Sequence, residues 1–156
     1  MKNVWFLIIT VLLYSCNQEN KTSTGVTFKI DLEKELKEIE DLRDSFSLTL
    51  KEGRYEDMGK WVSFDVKIIG PGGIDWNKMY DLGKERGRFP YDSIIMKPTE
   101  TFIMNDSMAY DWGTSSVYYT DEEGNIVELK NSLLVILKKE NDEWKLHREV
   151  GSSTVE

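Results

Sequence analysis

Three acidic side chains lie inside stretches rich in β-branched and aromatic residues: Asp65, Asp111 and Glu149. A carboxylate enclosed by apolar neighbours resists ionisation, which makes it a candidate general base near neutral pH. Each also has a plainer reading, as a strand residue that faces water or pairs with a cation such as Lys67 or Arg148. His147 is the only histidine. Ser152, His147 and an aspartate could form a nucleophilic relay, but no serine sits in a Gly-x-Ser-x-Gly turn, and a surface or interface histidine is the favoured reading. Gly70-Pro71-Gly72-Gly73 is not followed by Lys and Ser or Thr, so it is no phosphate loop. Asp121-Glu122-Glu123 lacks the alternating oxygen donors of a calcium loop. One Cys and one His exclude zinc fingers, zinc ribbons and multi-histidine metal sites within a single chain. No metal or other cofactor is implied.

Aromatic residues suggest binding more than chemistry. Trp61, Trp76, Tyr110 and Trp112 are the candidate ligand-binding residues. Tyr110 and Trp112 stand two apart, so on a strand they share a face. If that face is concave, they line a pocket suited to a flat or apolar molecule. The plainer reading makes Trp112 and Trp144 core, with Trp112 balanced between core and pocket, and Tyr118 and Tyr119 interface.

Composition narrows the classes further. The chain has 156 residues, 20 basic and 28 acidic, for a net charge of −8. A negative surface does not neutralise phosphates, which argues against a nucleic-acid partner. The length suits one domain with a real core. A lone cysteine forms no internal disulfide.

That cysteine sits at a telling place. Lys2 is followed by Val4 to Tyr14, an almost wholly apolar run of eleven residues. The run suits a secretory signal and is too short to span a bilayer, which needs about 20. Leu13-Tyr14-Ser15-Cys16 then resembles a bacterial lipobox, in which the peptide is cut before the Cys and the Cys is acylated. An ordinary signal cut near Ser15, or an uncleaved anchor, are the alternatives. The lipobox reading divides the chain into a signal peptide over residues 1–15, a lipidated Cys16 with a polar tether over 16–28, and one domain over 29–156. Residues 1–15 carry one Lys and no acid, so the mature part keeps 19 basic and 28 acidic side chains, a net −9. The expected location is the bacterial cell envelope, with the domain held outside the cytoplasm.

The domain must position the candidate residues. From about Lys29 to Gly53, Leu32, Leu36, Ile39, Leu42, Phe46 and Leu50 recur every three or four residues and predict a long amphipathic helix, with Asp31 as cap and Gly53 as stop. Residues 55–61 predict a short helix or turn, 63–69 an alternating strand, and 74–87 a helix with Met79 and Leu82 on one side. Four long strands follow, over residues 93–104, 108–120, 125–139 and 143–154, joined by short turns that make neighbours antiparallel. Pro98 belongs at an edge or bulge. Leu133 to Leu137 is apolar without alternation, so both faces of that strand should be covered. Helices followed by a strand meander define an α+β class with a strongly curved antiparallel sheet.

This order resembles the nuclear-transport-factor-2-like superfamily, in its SnoaL-like and ketosteroid-isomerase-like branch of unknown function. The resemblance rests on Phe46 and Leu50, on Gly53-Arg54-Tyr55-Glu56-Asp57, on the strand 63–69 followed by Gly-Pro-Gly, on Ala109-Tyr110-Asp111-Trp112-Gly113, and on Asp142-Glu143-Trp144-Lys145-Leu146 leading to Gly151-Ser152-Ser153. It implies a cone, in which a curved sheet wraps N-terminal helices and a pocket opens at the wide end. It also implies a homodimer through the outer face of the sheet. The isomerase-type members use a helix-borne Tyr with strand-borne acids, and the first helix here has no Tyr, so that chemistry does not carry over. The resulting expectation is a lipid-anchored module that binds a small apolar ligand or a protein without catalysis. The alternative is an isomerase, hydratase or cyclase with Asp111 or Glu149 as base.

Overall fold

Asp31 opens the first helix, α1 (Leu32–Lys51), by accepting a hydrogen bond from the Lys34 backbone N–H at 3.2 Å. Gly53 follows its end in a left-handed conformation (φ +67°). The apolar stripe read from the sequence is the buried one: Ile39, Leu42, Phe46 and Leu50 all lie in the core. The structure is a computed structural model, and it describes residues 30–154. The signal, Cys16 and tether readings lie outside the described residues. Among the described residues no helix is long and apolar enough to cross a membrane.

A 3₁₀ segment, Tyr55–Lys60, leads into β1 (Val62–Ile69). Helix α2 (Ile74–Glu85) follows, burying Trp76, Met79 and Leu82. The long strands are β2 (Ser93–Ile103), β3 (Met108–Thr120), β4 (Ile126–Glu140) and β5 (Glu143–Ser153). All five strands form one sheet in the order β1-β5-β4-β3-β2. The β2-to-β5 meander is antiparallel, whereas β1 runs parallel to β5, so the sheet is mixed at that edge and not antiparallel throughout. The chain therefore leaves β1 at one edge, crosses by way of α2, and enters β2 at the opposite edge. That crossing carries α2 over the inner face of the curved sheet.

Pro98 falls at a bulge in the edge strand β2, where the register shifts between Pro98 and Glu100. Its partner across the ladder is Gly113. A Cβ on Gly113 would stand 2.3 Å from the Lys97 carbonyl oxygen, so only glycine lets the two backbones approach this closely.

Alternation along β3 assigns its residues to two faces. Ala109, Asp111, Ser115, Val117 and Tyr119 are buried on the inner face. Tyr110, Trp112 and Thr114 point the other way. Register carries the same division across the sheet. Trp112, Leu134 and Val150 form one row on the outer face, and Phe102, Tyr110 and Ile136 form the next. Helices cover one side of the apolar run Leu133 to Leu137, where Leu133, Val135 and Leu137 are buried; Leu134 and Ile136 remain partly open on the other.

Candidate functional site

The inner face of the sheet, α2 and the segment before β2 enclose a cavity of about 360 Å³. Phe46 of α1 and Val117 and Leu146 of the sheet form its apolar floor. Trp76 and Tyr80, one turn apart on α2, and Phe89 and Tyr91 supply aromatic walls. The rings support one another: Trp76 and Tyr80 are tilted at 6.2 Å, and Phe89 meets Tyr91 edge-on at 4.8 Å. The Tyr80 hydroxyl lies against Gly70, where a Cβ would stand 2.3 Å from it.

Polar groups in this lining are few. Ser115 donates to Asn131 across β3 and β4. Among the described residues Glu149 of β5 is the sole lining residue with a charged side chain. Among the described residues no side chain hydrogen-bonds or pairs with it. Burial raises its carboxyl above the ordinary glutamate range. Tyr80 is also raised, by burial and then by the charge of Glu149. Tyr91 is driven far up by the same two causes, in the same order, with Tyr80 adding to them. Both phenols therefore stay protonated as hydrogen-bond donors at any ordinary pH. The arrangement is one acid whose carboxyl burial raises, two phenols and an apolar room.

The other candidate acids are committed elsewhere. Asp111 faces inward but is closed by Arg43 of α1, whose Nη1 lies 2.9 Å from Oδ2, and by the Thr101 hydroxyl, which donates to Oδ1 at 2.6 Å. Asp65 takes the plainer reading. It pairs with Arg148 at 3.1 Å, and this hydrogen bond holds its carboxyl below the usual range. His147 is not a surface residue: only 14 % of its side chain is exposed. Its Nδ1 lies 2.9 Å from Ser63 Oγ and 3.2 Å from Asp65 Oδ1. Serine and aspartate thus meet the same ring nitrogen, so the imidazole cannot pass a proton between them as a relay requires. Ser152 stands exposed and pairs with Ser132 in the ladder.

The four aromatic candidates are not gathered in one place. Trp76 lines the cavity. Trp61 instead donates to Thr49 Oγ1 at 2.8 Å and borders a separate depression with Trp144, Asp41 and Glu143. Tyr110 and Trp112 do share a face, as their spacing required, but it is the convex one, and Trp112 is 55 % exposed. Trp144 is core, its indole N–H donating to Glu35 at 2.7 Å. Sequence reasoning passed over Tyr80, Phe89 and Tyr91. Two signals mark them: the spacing of four between Trp76 and Tyr80 on one helix, and the aromatic-proline-aromatic run Phe89-Pro90-Tyr91 directly before a strand.

A mixed, curved five-stranded sheet folded over N-terminal helices, with the cavity between them, is an α+β cone. Solved structures of low sequence identity share it. An NTF-2-like protein of unknown function from Shewanella oneidensis is 12 % identical, with a TM-score of 0.57, over 76 % of this chain and 99 % of its own. A ketosteroid isomerase-like protein from Erwinia carotovora is 15 % identical, with a TM-score of 0.57, over 79 % of this chain and 98 % of its own. The association domain of CaMKII from C. elegans is 12 % identical, with a TM-score of 0.54, over 78 % and 97 %. The fold is therefore that of the nuclear-transport-factor-2-like and ketosteroid-isomerase-like proteins, as the sequence resemblance implied. No known family profile matches the sequence, and no curated protein matches it.

Proposed function

We propose that this chain is a lipid-anchored envelope protein whose domain holds a small, largely apolar molecule in the cavity beside Glu149, without transforming it. The observation that carries this reading is the cavity itself. It has about 360 Å³ of room, within the range of small-molecule sites, and aromatic walls. The anchor rests on Lys2, the apolar run Val4 to Tyr14 and Cys16. The outer rows around Trp112 and Tyr110 support a homodimer, and the likeness to an association domain is consistent with one.

The test is a titration of the full chain, ¹⁵N-labelled at tryptophan and held in detergent, with 2-naphthylmethanol. The Trp76 indole resonance should shift saturably while that of Trp112 stays in place. A shift confined to Trp112, or no saturable shift, overturns the reading.

A second reading has one observation in its favour. Glu149 sits in an apolar site with its carboxyl raised, as a general base for an isomerase, hydratase or cyclase would. Deuterium exchange α to the carbonyl of 2-acetylnaphthalene, lost in Glu149→Gln, supports that chemistry. Exchange no faster than in protein-free micelles counts against it.

A further inference from the structure

We infer that the molecule held in the cavity carries an ammonium group, with Glu149 as its counter-ion and the rings of Trp76, Tyr80, Phe89 and Tyr91 around it. This rests on the cavity being a binding site, and it names the chemical class of the ligand.

Three observations point to a cation. Among the described residues Glu149 is the one lining residue with a charged side chain, and no Lys, Arg or His of theirs lines the cavity to answer it. A carboxylate that faces an apolar, aromatic lining without a partner is stabilised when an opposite charge or hydrogen-bond donors reach it. An ammonium group supplies both, and its charge favours the ionised carboxylate against the burial that raises it. The walls are also biased toward positive charge. Aromatic faces are negative, and a cation enclosed by them is attracted most strongly where water is excluded. Finally, Ser115 and Asn131 are bonded to each other, so their pairing leaves Glu149 as the strongest polar anchor.

The competing ligands fit less well. An anion would have to enter beside Glu149 with no cation among the described lining residues. A neutral apolar molecule would leave the carboxyl without an ionic partner. The room suits a body about the size of a bicyclic aromatic, at the lower end of small-molecule sites.

Three probes of matched shape test this: 2-naphthylmethylamine, 2-naphthylmethanol and 2-naphthoate, each titrated into the full chain in detergent and read at the Trp76 indole. The amine should bind at least about tenfold more tightly than the alcohol, and naphthoate more weakly than either. In Glu149→Gln the amine and the alcohol should converge to within about threefold, with the alcohol unchanged. If the alcohol shifts Trp76 saturably but the wild-type chain shows no preference for the amine, the ammonium reading falls and the cavity reading stands. If no probe shifts Trp76, both fall. The comparison of probes on the wild-type chain is independent of whether the variant folds.

Discussion

Arg43 and Asp111 join α1 to the inner face of β3, and breaking that pair should cost far more than breaking any surface ion pair of the domain. The Arg43 side chain is 14 % exposed and the Asp111 side chain 5 %. Exposed pairs contribute about 0–1 kcal/mol. A buried pair that loses one partner costs about 3–5 kcal/mol, because the remaining charge is stranded. Arg43→Met strands Asp111, yet Thr101 still donates to it, so the lower end of that range applies, about 3 kcal/mol. For a domain of this size that is a fall in Tm of about 10–15 °C. Asp111→Leu strands Arg43, whose side chain borders a surface depression shared with Glu40 and reaches water more easily, so it should cost less, about 1–3 kcal/mol. The double variant Arg43→Met/Asp111→Leu removes both charges and should recover most of the loss. Urea denaturation of all four proteins yields the coupling energy directly. Arg43→Met costing under about 1 kcal/mol, or single losses that simply add, would refute the reasoning. The same experiment bears on function. A carboxylate whose oxygens are already occupied by a guanidinium and a hydroxyl has no oxygen turned toward the cavity ligand, which leaves Glu149 as the acid of interest.

Burial raises the Glu149 carboxyl in the folded state, so folding favours its protonated form. Its contribution to stability is full below the unfolded value near 4.5 and is lost as pH rises through the higher folded value. Glu149→Gln should therefore match the wild type in denaturant at about pH 4 and exceed it at about pH 8, and equal pH profiles would contradict this. Gly113→Ala drives a Cβ against the Lys97 carbonyl and the Pro98 backbone, neither of which can yield cheaply. It should destabilise the domain by about 1–3 kcal/mol in thermal denaturation, and a neutral result would mean that the bulge is soft. Trp112→Glu places a charge in the centre of the outer rows and should convert a dimer to a monomer by light scattering; an unchanged mass removes that face from any interface. Cys16→Ser should move the full-length protein from the detergent phase to the aqueous phase on Triton X-114 partition, and unchanged partition would exclude lipid on that residue.

Local pattern sufficed for most of the fold. The three-and-four spacing of Ile39, Leu42, Phe46 and Leu50 placed the buried stripe of α1, and β-branched runs placed the long strands within a residue or two. It could not show that β1 runs parallel to β5. That pairing joins residues some eighty positions apart through Lys67 and Arg148, and no neighbouring turn encodes it. Nor could it find the Arg43–Asp111 pair. An arginine on a helix crowded with charges looks solvated until the helix is docked.

The site shows the same limit more sharply. A spacing of two states that Tyr110 and Trp112 share a face and says nothing about which face is concave. That choice is made by long-range packing, and Asp111 settles it, because the residue between them is drawn inward by Arg43. Once Asp111 faces α1, strand alternation forces Trp112 outward, and the aromatic walls must come from elements that cross the inner face. Those elements are α2, with Trp76 and Tyr80, and the segment entering β2, with Phe89 and Tyr91. Glu149 reaches the same space because it is the register partner of Val135, itself the partner of Asp111. One cross-strand row thus carries both acids inward, and what separates them is their company: a guanidinium closes one, and aromatic rings surround the other.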